Sequence, residues 1–175
     1  LTRVRDMLGM NGCAGAKTPE HKNEEGKLDE NDLELDEEKA RLYRRAVFTL
    51  LYPALDFINA QHGIRELSTE LKSPMESSFA RLNRLVRCLT RARCHGLKCK
   101  KQKLGRKATC TVRTDTNWAG SKIDRKSVGC LRILYGRNLL YSRVFGFDIT
   151  TMSSGESEFY GGVSGAVDGC TCRTC

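Results

Sequence analysis

The sequence predicts an α+β protein, with a helical N-terminal part and a C-terminal β-sheet that carries one helix. Two observations lead to this prediction. Apolar residues recur every three to four positions through the first half of the chain, which is typical of helices that bury one face. Beyond about residue 104 the period changes to two, as in strands whose alternate side chains point to opposite faces.

The charge of the chain is distributed unevenly. Its 175 residues have a net charge of +9, yet residues 20–38 contain ten acids and only two lysines. That leaves 28 basic and 11 acidic residues elsewhere. Such an excess favours a polyanionic partner, because each contact with a phosphate releases counterions. The acidic segment has few large apolar residues and is predicted to be a solvated linker.

A membrane partner is not expected. No apolar run reaches the ~18 residues that span a bilayer. No basic amphipathic helix with a wide apolar face and a lipidation signal is found either.

Two helices are predicted before residue 72. Apolar residues follow a helical spacing from Asp36 to Leu55, but Pro53 interrupts this face. A proline inside a helix costs roughly 3 kcal/mol, so a kink or an end is expected there. A second, shorter helix is predicted from about Ala60 to Leu71, where Ser73 and Pro74 stop it.

The third predicted helix runs from Glu76 to about Arg93 and has an apolar stripe and a basic stripe. The basic stripe consists of Arg81, Arg84, Arg87 and Arg91. It is consistent with a solvated helix face, because arginine is a good helix former. No acids alternate with these arginines, which favours a ridge that lies along a nucleic-acid backbone. A basic loop follows and adds Lys98, Lys100, Lys101 and Lys103.

The strands and the last helix follow in order. Strands are predicted at about residues 109–115, 131–135 and 139–144, with a hairpin turn at residues 136–138. Ser153 and Ser154 are suitable helix caps, and Glu156 suits the first turn of a helix. This helix is predicted to continue to about Val167.

Nine cysteines are odd in number and irregular in spacing, which argues against a secreted disulfide framework. They are predicted to be reduced thiols. Cys172 and Cys175 leave open a weaker alternative, a small zinc-binding module. Leu1 is followed by no apolar signal core, so the protein is expected to be intracellular, in the cytoplasm or nucleus, and not secreted. Because Leu1 is not an initiator methionine, a segment of a longer reading frame is also expected.

A collinear series of short motifs resembles the C-terminal Pol region of copia-type LTR retrotransposons almost from end to end. The series includes MLGMNGCAGAKTP, LDEEKARLYRRAV, IRELSTELKSP, FARLNRLVRCLT and NLLYS. The most specific pair is Asp-x-x-Trp-Ala-Gly from Asp115, followed about forty residues later by Ser-Ser-Gly-Glu-Ser-Glu from Ser153.

The resemblance implies a domain organisation. Residues 1–19 would end a reverse transcriptase segment, and residues 20–38 would be the acidic linker. Residues 39–104 would be the helical connection segment that holds the hybrid. Residues 105–175 would form a truncated RNase H-like domain with a mixed sheet and one helix. The implied partners are an RNA/DNA hybrid or other nucleic acid and the remainder of the Pol polyprotein.

The resemblance also implies a chemistry, the hydrolysis of RNA in RNA/DNA hybrids by a two-metal mechanism. Carboxylates hold two Mg²⁺ ions, one of which activates water while the other stabilises the leaving oxygen. Asp115 matches the first metal ligand of the family and Glu158 the second. The family domain continues with a strand that carries a third metal-binding aspartate, whereas this chain ends at Cys175.

Asn117 also replaces the second aspartate of the family's Asp-x-Asp-Trp motif. These departures lead us to expect little or no nuclease activity from the isolated chain. The alternative is a degenerate, non-catalytic remnant that only binds nucleic acid through the basic helix and the lysine loop.

Overall fold

A computed structural model of the chain describes residues 1–19, 32–92, 97–101, 109–120 and 125–171. The chain divides into two compact units, Leu1–Gly96 and Leu97–Cys175. The first unit is helical, and the second is a three-stranded antiparallel sheet with one helix. This confirms the predicted α+β class. The division falls ahead of the boundary predicted at residue 105.

Within its described residues, the helical unit contains four helices and two short 3-10 turns. The helices are α1 (Thr2–Met7), α2 (Glu37–Leu51), α3 (Gln61–Thr69) and α4 (Glu76–Ala92), and the turns are Pro53–Leu55 and Ile58–Ala60. Asp36 caps α2, since its Oδ1 accepts a hydrogen bond of 2.8 Å from the Lys39 amide. As predicted, α2 ends just before Pro53, whose ring nitrogen has no hydrogen to donate to the helix.

The core of this unit is made from the apolar faces of its helices. Tyr43, Leu50, Ile64, Leu67, Leu82 and Leu85 are among its largest fully buried side chains. A buried phenol needs a hydrogen-bond partner. The hydroxyl of Tyr43 donates to the carbonyl of Leu67 at 2.8 Å, which joins α2 to α3 inside the core.

Part of the predicted acidic linker belongs to the fold. Residues 20–31 lie outside the described residues, but Leu35 is buried, and its amide donates to the Pro74 carbonyl at 3.0 Å. Asp32 accepts a hydrogen bond of 3.1 Å from the Ser77 amide in the first turn of α4. A carboxylate is stabilised there by the helix dipole. Leu35 therefore departs from the predicted solvated segment, whereas Leu33, Glu34 and Asp36 are exposed.

The sheet consists of β1 (Cys110–Asn117), β2 (Val128–Tyr135) and β3 (Asn138–Gly146), in the order β1-β2-β3. Both pairs are antiparallel, and Gly136 has the positive φ of 60° that the tight β2–β3 turn requires. The predicted mixed sheet is not seen in the described residues. A parallel pair needs a crossover of a dozen or more residues, whereas β2 and β3 are joined by a short hairpin.

Helix α5 (Ser154–Thr171) begins at the predicted cap. The Oγ of Ser153 accepts a hydrogen bond of 3.1 Å from the Glu156 amide, and Glu156 Oε2 accepts one of 2.7 Å from the Met152 amide. Both groups satisfy amides that the helix start leaves without intrahelical partners.

Helix α5 lies directly on β1 through a row of glycines. Gly161 faces Thr116, Gly165 faces Thr114 and Val112, and Gly169 faces Val112. A Cβ atom at Gly169 would stand 2.6 Å from Val112 Cγ2, closer than carbon atoms approach. Only glycine therefore allows this distance between the helix backbone and the strand.

The described cysteines Cys13, Cys88, Cys99, Cys110, Cys130 and Cys170 are free. Cys172 and Cys175, the candidate half of a zinc site, lie outside the described residues. No helix in the described ranges has both the length and the apolar character needed to cross a membrane.

The glycine row gives a stability prediction. Gly165→Ala places a methyl group against Thr114 and 3.1 Å from Val112 Cγ1. It should destabilise the sheet unit by about 1–3 kcal/mol, the usual cost of overpacking. Gly162→Ala is the matched control, because a Cβ there meets nothing within 4 Å. It should stabilise α5 by up to about 1 kcal/mol. Urea unfolding measures both, and equal effects would contradict the close packing.

Tyr43 gives a pH prediction for the helical unit. Burial raises the pKa of its phenol above the ordinary 10.0, and the nearby Glu70 charge raises this pKa further. The folded state therefore favours the protonated phenol, so its contribution to stability is complete below pH 10 and is lost as the pH rises above it. Tyr43→Phe should lose about 0.5–1.5 kcal/mol of stability at neutral pH with its hydrogen bond. Above pH 10, the Tyr43→Phe variant should lose less additional stability than the unmodified chain.

Urea midpoints followed by helical circular dichroism at neutral and alkaline pH test this prediction. Tyr52→Phe is the control, because the side chain of Tyr52 is 87% exposed. If Tyr43→Phe and Tyr52→Phe lost stability equally with alkali, the buried phenol would not be the responsible group.

Candidate functional site

Asp115 lies on β1, on the face of the sheet opposite α5. Along this strand Val112, Thr114 and Thr116 contact α5, so the alternate residues point to the other face. Asp115 is exposed, and its direct partner on β2 is Cys130. Opposite residues in an antiparallel pair point to the same side, so this carboxylate and this thiol are neighbours.

Glu158 is exposed on α5, one position after the buried Ser157. Burial raises the pKa of the Cys130 thiol, and the charge of Asp115 raises it further; Glu158 contributes in the same direction. Arg132 and the backbone hydrogen bond from Asp115 act in the opposite direction. The two carboxylates predicted from the sequence therefore both lie within electrostatic range of one thiol. Glu156, the neighbouring acid, is used in the helix cap.

A hydrogen-bond network connects the end of β1 to the start of α5. The indole of Trp118 donates to the Thr151 carbonyl at 3.1 Å, and the Ala119 amide donates to Ser127 Oγ at 3.1 Å. The hydroxyls of Ser127 and Thr151 lie 2.9 Å apart, and both residues are buried. This network fixes the strand of Asp115 relative to the helix of Glu158. Ser127 lies in residues 124–127, which the resemblance predicts to be a turn near the hybrid backbone or, equally, in solvent. Thr151 had no signal in the sequence, because hydroxyl residues occur in most loops.

The donor set does not by itself fit two Mg²⁺ ions. In the described part of the chain, no three His, Cys, Asp or Glu side chains are grouped so as to hold a metal ion. Mg²⁺ prefers hard oxygen ligands, and a protonated thiol beside two carboxylates is a poor addition. Asp115 and Glu158 thus form at most part of the expected centre.

The arginine row of α4 has partners within the helical unit. Arg81 is paired with both carboxylate oxygens of Glu70, and each side chain of this pair is about one-third exposed. Arg84 donates to Thr18 Oγ1 at 3.0 Å, and Arg87 donates through Nε to the Ala14 carbonyl at 2.8 Å.

Arg91 packs against the same N-terminal segment. A Cβ atom added at Gly15 would stand 2.8 Å from the Cβ atom of Arg91. Residues 13–18 therefore lie along the basic stripe. They accept hydrogen bonds from arginine side chains that were predicted to contact nucleic acid. The nucleic-acid role of the row stays a prediction.

The lysine loop is exposed. Lys98, Lys100 and Lys101 are exposed, whereas Lys103 lies outside the described residues. Asn138, the first residue of β3, holds this segment at two points. Its Oδ1 accepts from the Lys100 amide at 2.7 Å, and its Nδ2 donates to the Lys100 carbonyl at 2.8 Å. The lysines are therefore fixed beside the β2–β3 hairpin.

Comparison with known proteins adds no family assignment: no protein-family model, curated protein or solved structure matches this chain.

The contacts of Arg87 give a prediction about the N-terminal segment. Arg87→Met keeps most of the side-chain stem but removes the donor to Ala14. Such a hydrogen bond contributes about 0.5–1.5 kcal/mol, so its loss should raise the equilibrium constant for local opening of residues 13–18 several-fold. Trypsin should then cleave after the exposed Lys17 several-fold faster, as measured by mass spectrometry.

The matched control is Arg91→Met, which keeps the Cβ that packs near Gly15. Its cleavage after Lys17 should stay close to that of the unmodified chain. Equal acceleration in both variants would mean that arginine charge, rather than the Arg87 hydrogen bond, holds the segment.

Proposed function

We propose that the chain is a segment of a copia-type retrotransposon polyprotein that contacts nucleic acid, with an RNase H-like C-terminal unit. One observation carries this proposal. Asp115 stands on β1, the first strand, and Glu158 stands on α5, the helix that covers this strand. Carboxylates on the first strand and the first helix are what the resemblance requires of an RNase H-like site. The remainder of the polyprotein is then a partner of both units.

The topology supports the same proposal. An antiparallel meander with its first strand at the edge, followed by a helix on one face, corresponds to the first elements of an RNase H-like domain. The fold class alone does not identify an activity, because one fold hosts many functions. The positions of Asp115 and Glu158 therefore count for more than the topology.

We expect the chain to bind an RNA/DNA hybrid without cleaving it. Two carboxylates near a protonated thiol provide too few oxygen ligands for two-metal hydrolysis. The exposed lysines Lys98, Lys100 and Lys101 are better placed for phosphate contact than the α4 arginines, three of which have intramolecular hydrogen bonds. This favours the non-catalytic alternative for the isolated chain.

The test incubates the chain with a labelled RNA/DNA hybrid in Mg²⁺ or Mn²⁺ and measures cleavage on gels and binding by fluorescence anisotropy. We expect no cleavage, and binding that weakens by orders of magnitude between low and physiological salt if about six or more phosphates are contacted. Replacing Lys98, Lys100 and Lys101 with glutamine should reduce the salt dependence of binding, because phosphate contacts are lost.

The matched control replaces three exposed cations of the helical unit, Arg41, Arg45 and Lys72, with glutamine. It removes the same charge and should bind more tightly than the lysine variant. Metal-dependent cleavage that disappears in Asp115→Asn and Glu158→Gln would contradict the non-catalytic expectation and support a functional centre. Binding that ignores salt would remove the nucleic-acid proposal altogether.

A further inference from the structure

The face of the sheet opposite α5 carries a pair of directly opposed arginines. Arg113 on β1 and Arg132 on β2 are partners in the strand register, and both are exposed. Their Cβ atoms are therefore about 5 Å apart on the same side of the sheet. Helix α5 packs on the other face, so none of the helices and strands named for this unit covers the two guanidinium groups.

Two like charges in this position destabilise a sheet unless a counter-charge is present. In the described ranges neither arginine forms an ion pair, whereas Arg143 on the α5 side pairs with Asp168 at 2.9 Å. The nearest carboxylate on this face is Asp115, one row further along β1, where it lies opposite Cys130. Asp115 thus limits the cationic surface on one side without neutralising it.

The lysine loop is anchored at the hairpin end of the sheet. Asn138, which anchors Lys100, is opposite Tyr135, and Tyr135 lies three residues from Arg132 on β2. At about 3.4 Å per residue, the anchor is roughly 10 Å along the strand from the arginine pair. The row between them, which contains Thr111, Leu134 and Leu139, has no carboxylate. Side chains alternate along a strand, so Tyr135 and its partner Asn138 point to the α5 face. The anchor of the lysines is therefore at the hairpin end of the sheet but not on the face of the arginine pair.

We propose that Arg113 and Arg132 together clamp one phosphate of a nucleic-acid backbone. A guanidinium presents paired donors that match phosphate oxygens, and two of them surround one phosphodiester group. The clamp deepens the nucleic-acid binding proposed above and rests on it, but it needs neither Asp115 nor Glu158 as a metal ligand.

The test measures anisotropy of the full chain with a labelled RNA/DNA hybrid over a range of salt concentrations. The double variant Arg113→Gln, Arg132→Gln should bind more weakly and reduce the magnitude of the slope of log K against log salt by about one, since the clamp holds one phosphate and each phosphate contact contributes about 0.9 for duplex DNA. Arg41→Gln with Arg45→Gln removes the same charge from exposed positions in the helical unit, so its slope should exceed that of the double variant.

Stability separates a clamp from a structural role. Because the opposed charges repel, Arg132→Gln should unfold at an equal or higher urea concentration than the unmodified chain while it binds more weakly. An unchanged salt slope in the double variant, with normal binding by the unmodified chain, would overturn the clamp and leave the proposed function standing. Loss of binding together with loss of stability would also overturn it. Displacement of the hybrid by poly-glutamate as readily as by poly-uridylate would replace it with an acidic-peptide site.

Discussion

The contact between α5 and β1 determines which side chains of the C-terminal unit are exposed. The row Gly161, Gly165 and Gly169 brings the helix backbone onto the strand, and this closeness decides which face of β1 is covered. Since strand side chains alternate, covering Thr114 forces Arg113 and Asp115 to the opposite face. The glycines thus set the exposure of the first candidate carboxylate and of the arginine pair.

The same contact puts Asp115 on the face of β1 that points away from the helix of Glu158. The cap at Ser153 and the bonds of Trp118, Ser127 and Thr151 fix the start of α5 at the end of β1. Burial raises the pKa of the Cys130 thiol, and the charges of Asp115 and Glu158 raise it further.

In the helical unit, the basic stripe of α4 favours nucleic-acid binding, but its arginines also form hydrogen bonds within the chain. The spacing of Arg84, Arg87 and Arg91 follows the helix, and residues 13–18 lie along it. The carbonyl of Ala14 and the hydroxyl of Thr18 accept from guanidinium groups as a phosphate would. A periodic basic stripe therefore identifies a surface rich in donors, but not the acceptor that meets it.

The sequence by itself determined most of the local structure. Pro53 stops α2 because it lacks an amide hydrogen, Asp36 and Ser153 cap helices, and Gly136 allows the hairpin. These features act within a few residues, so they can be recognised without knowledge of the fold. The α+β class followed from the change of period, and Asp115 and Glu158 came from motif resemblance rather than from spacing.

Only the tertiary structure decided which charged groups meet. Arg113 and Arg132 are far apart in the chain, and the β1–β2 register makes them neighbours. Leu35 is buried although its segment is acidic, and its amide donates to the carbonyl of Pro74, which is remote in the chain. Interactions of this kind depend on distances between residues remote in sequence, which no local pattern contains.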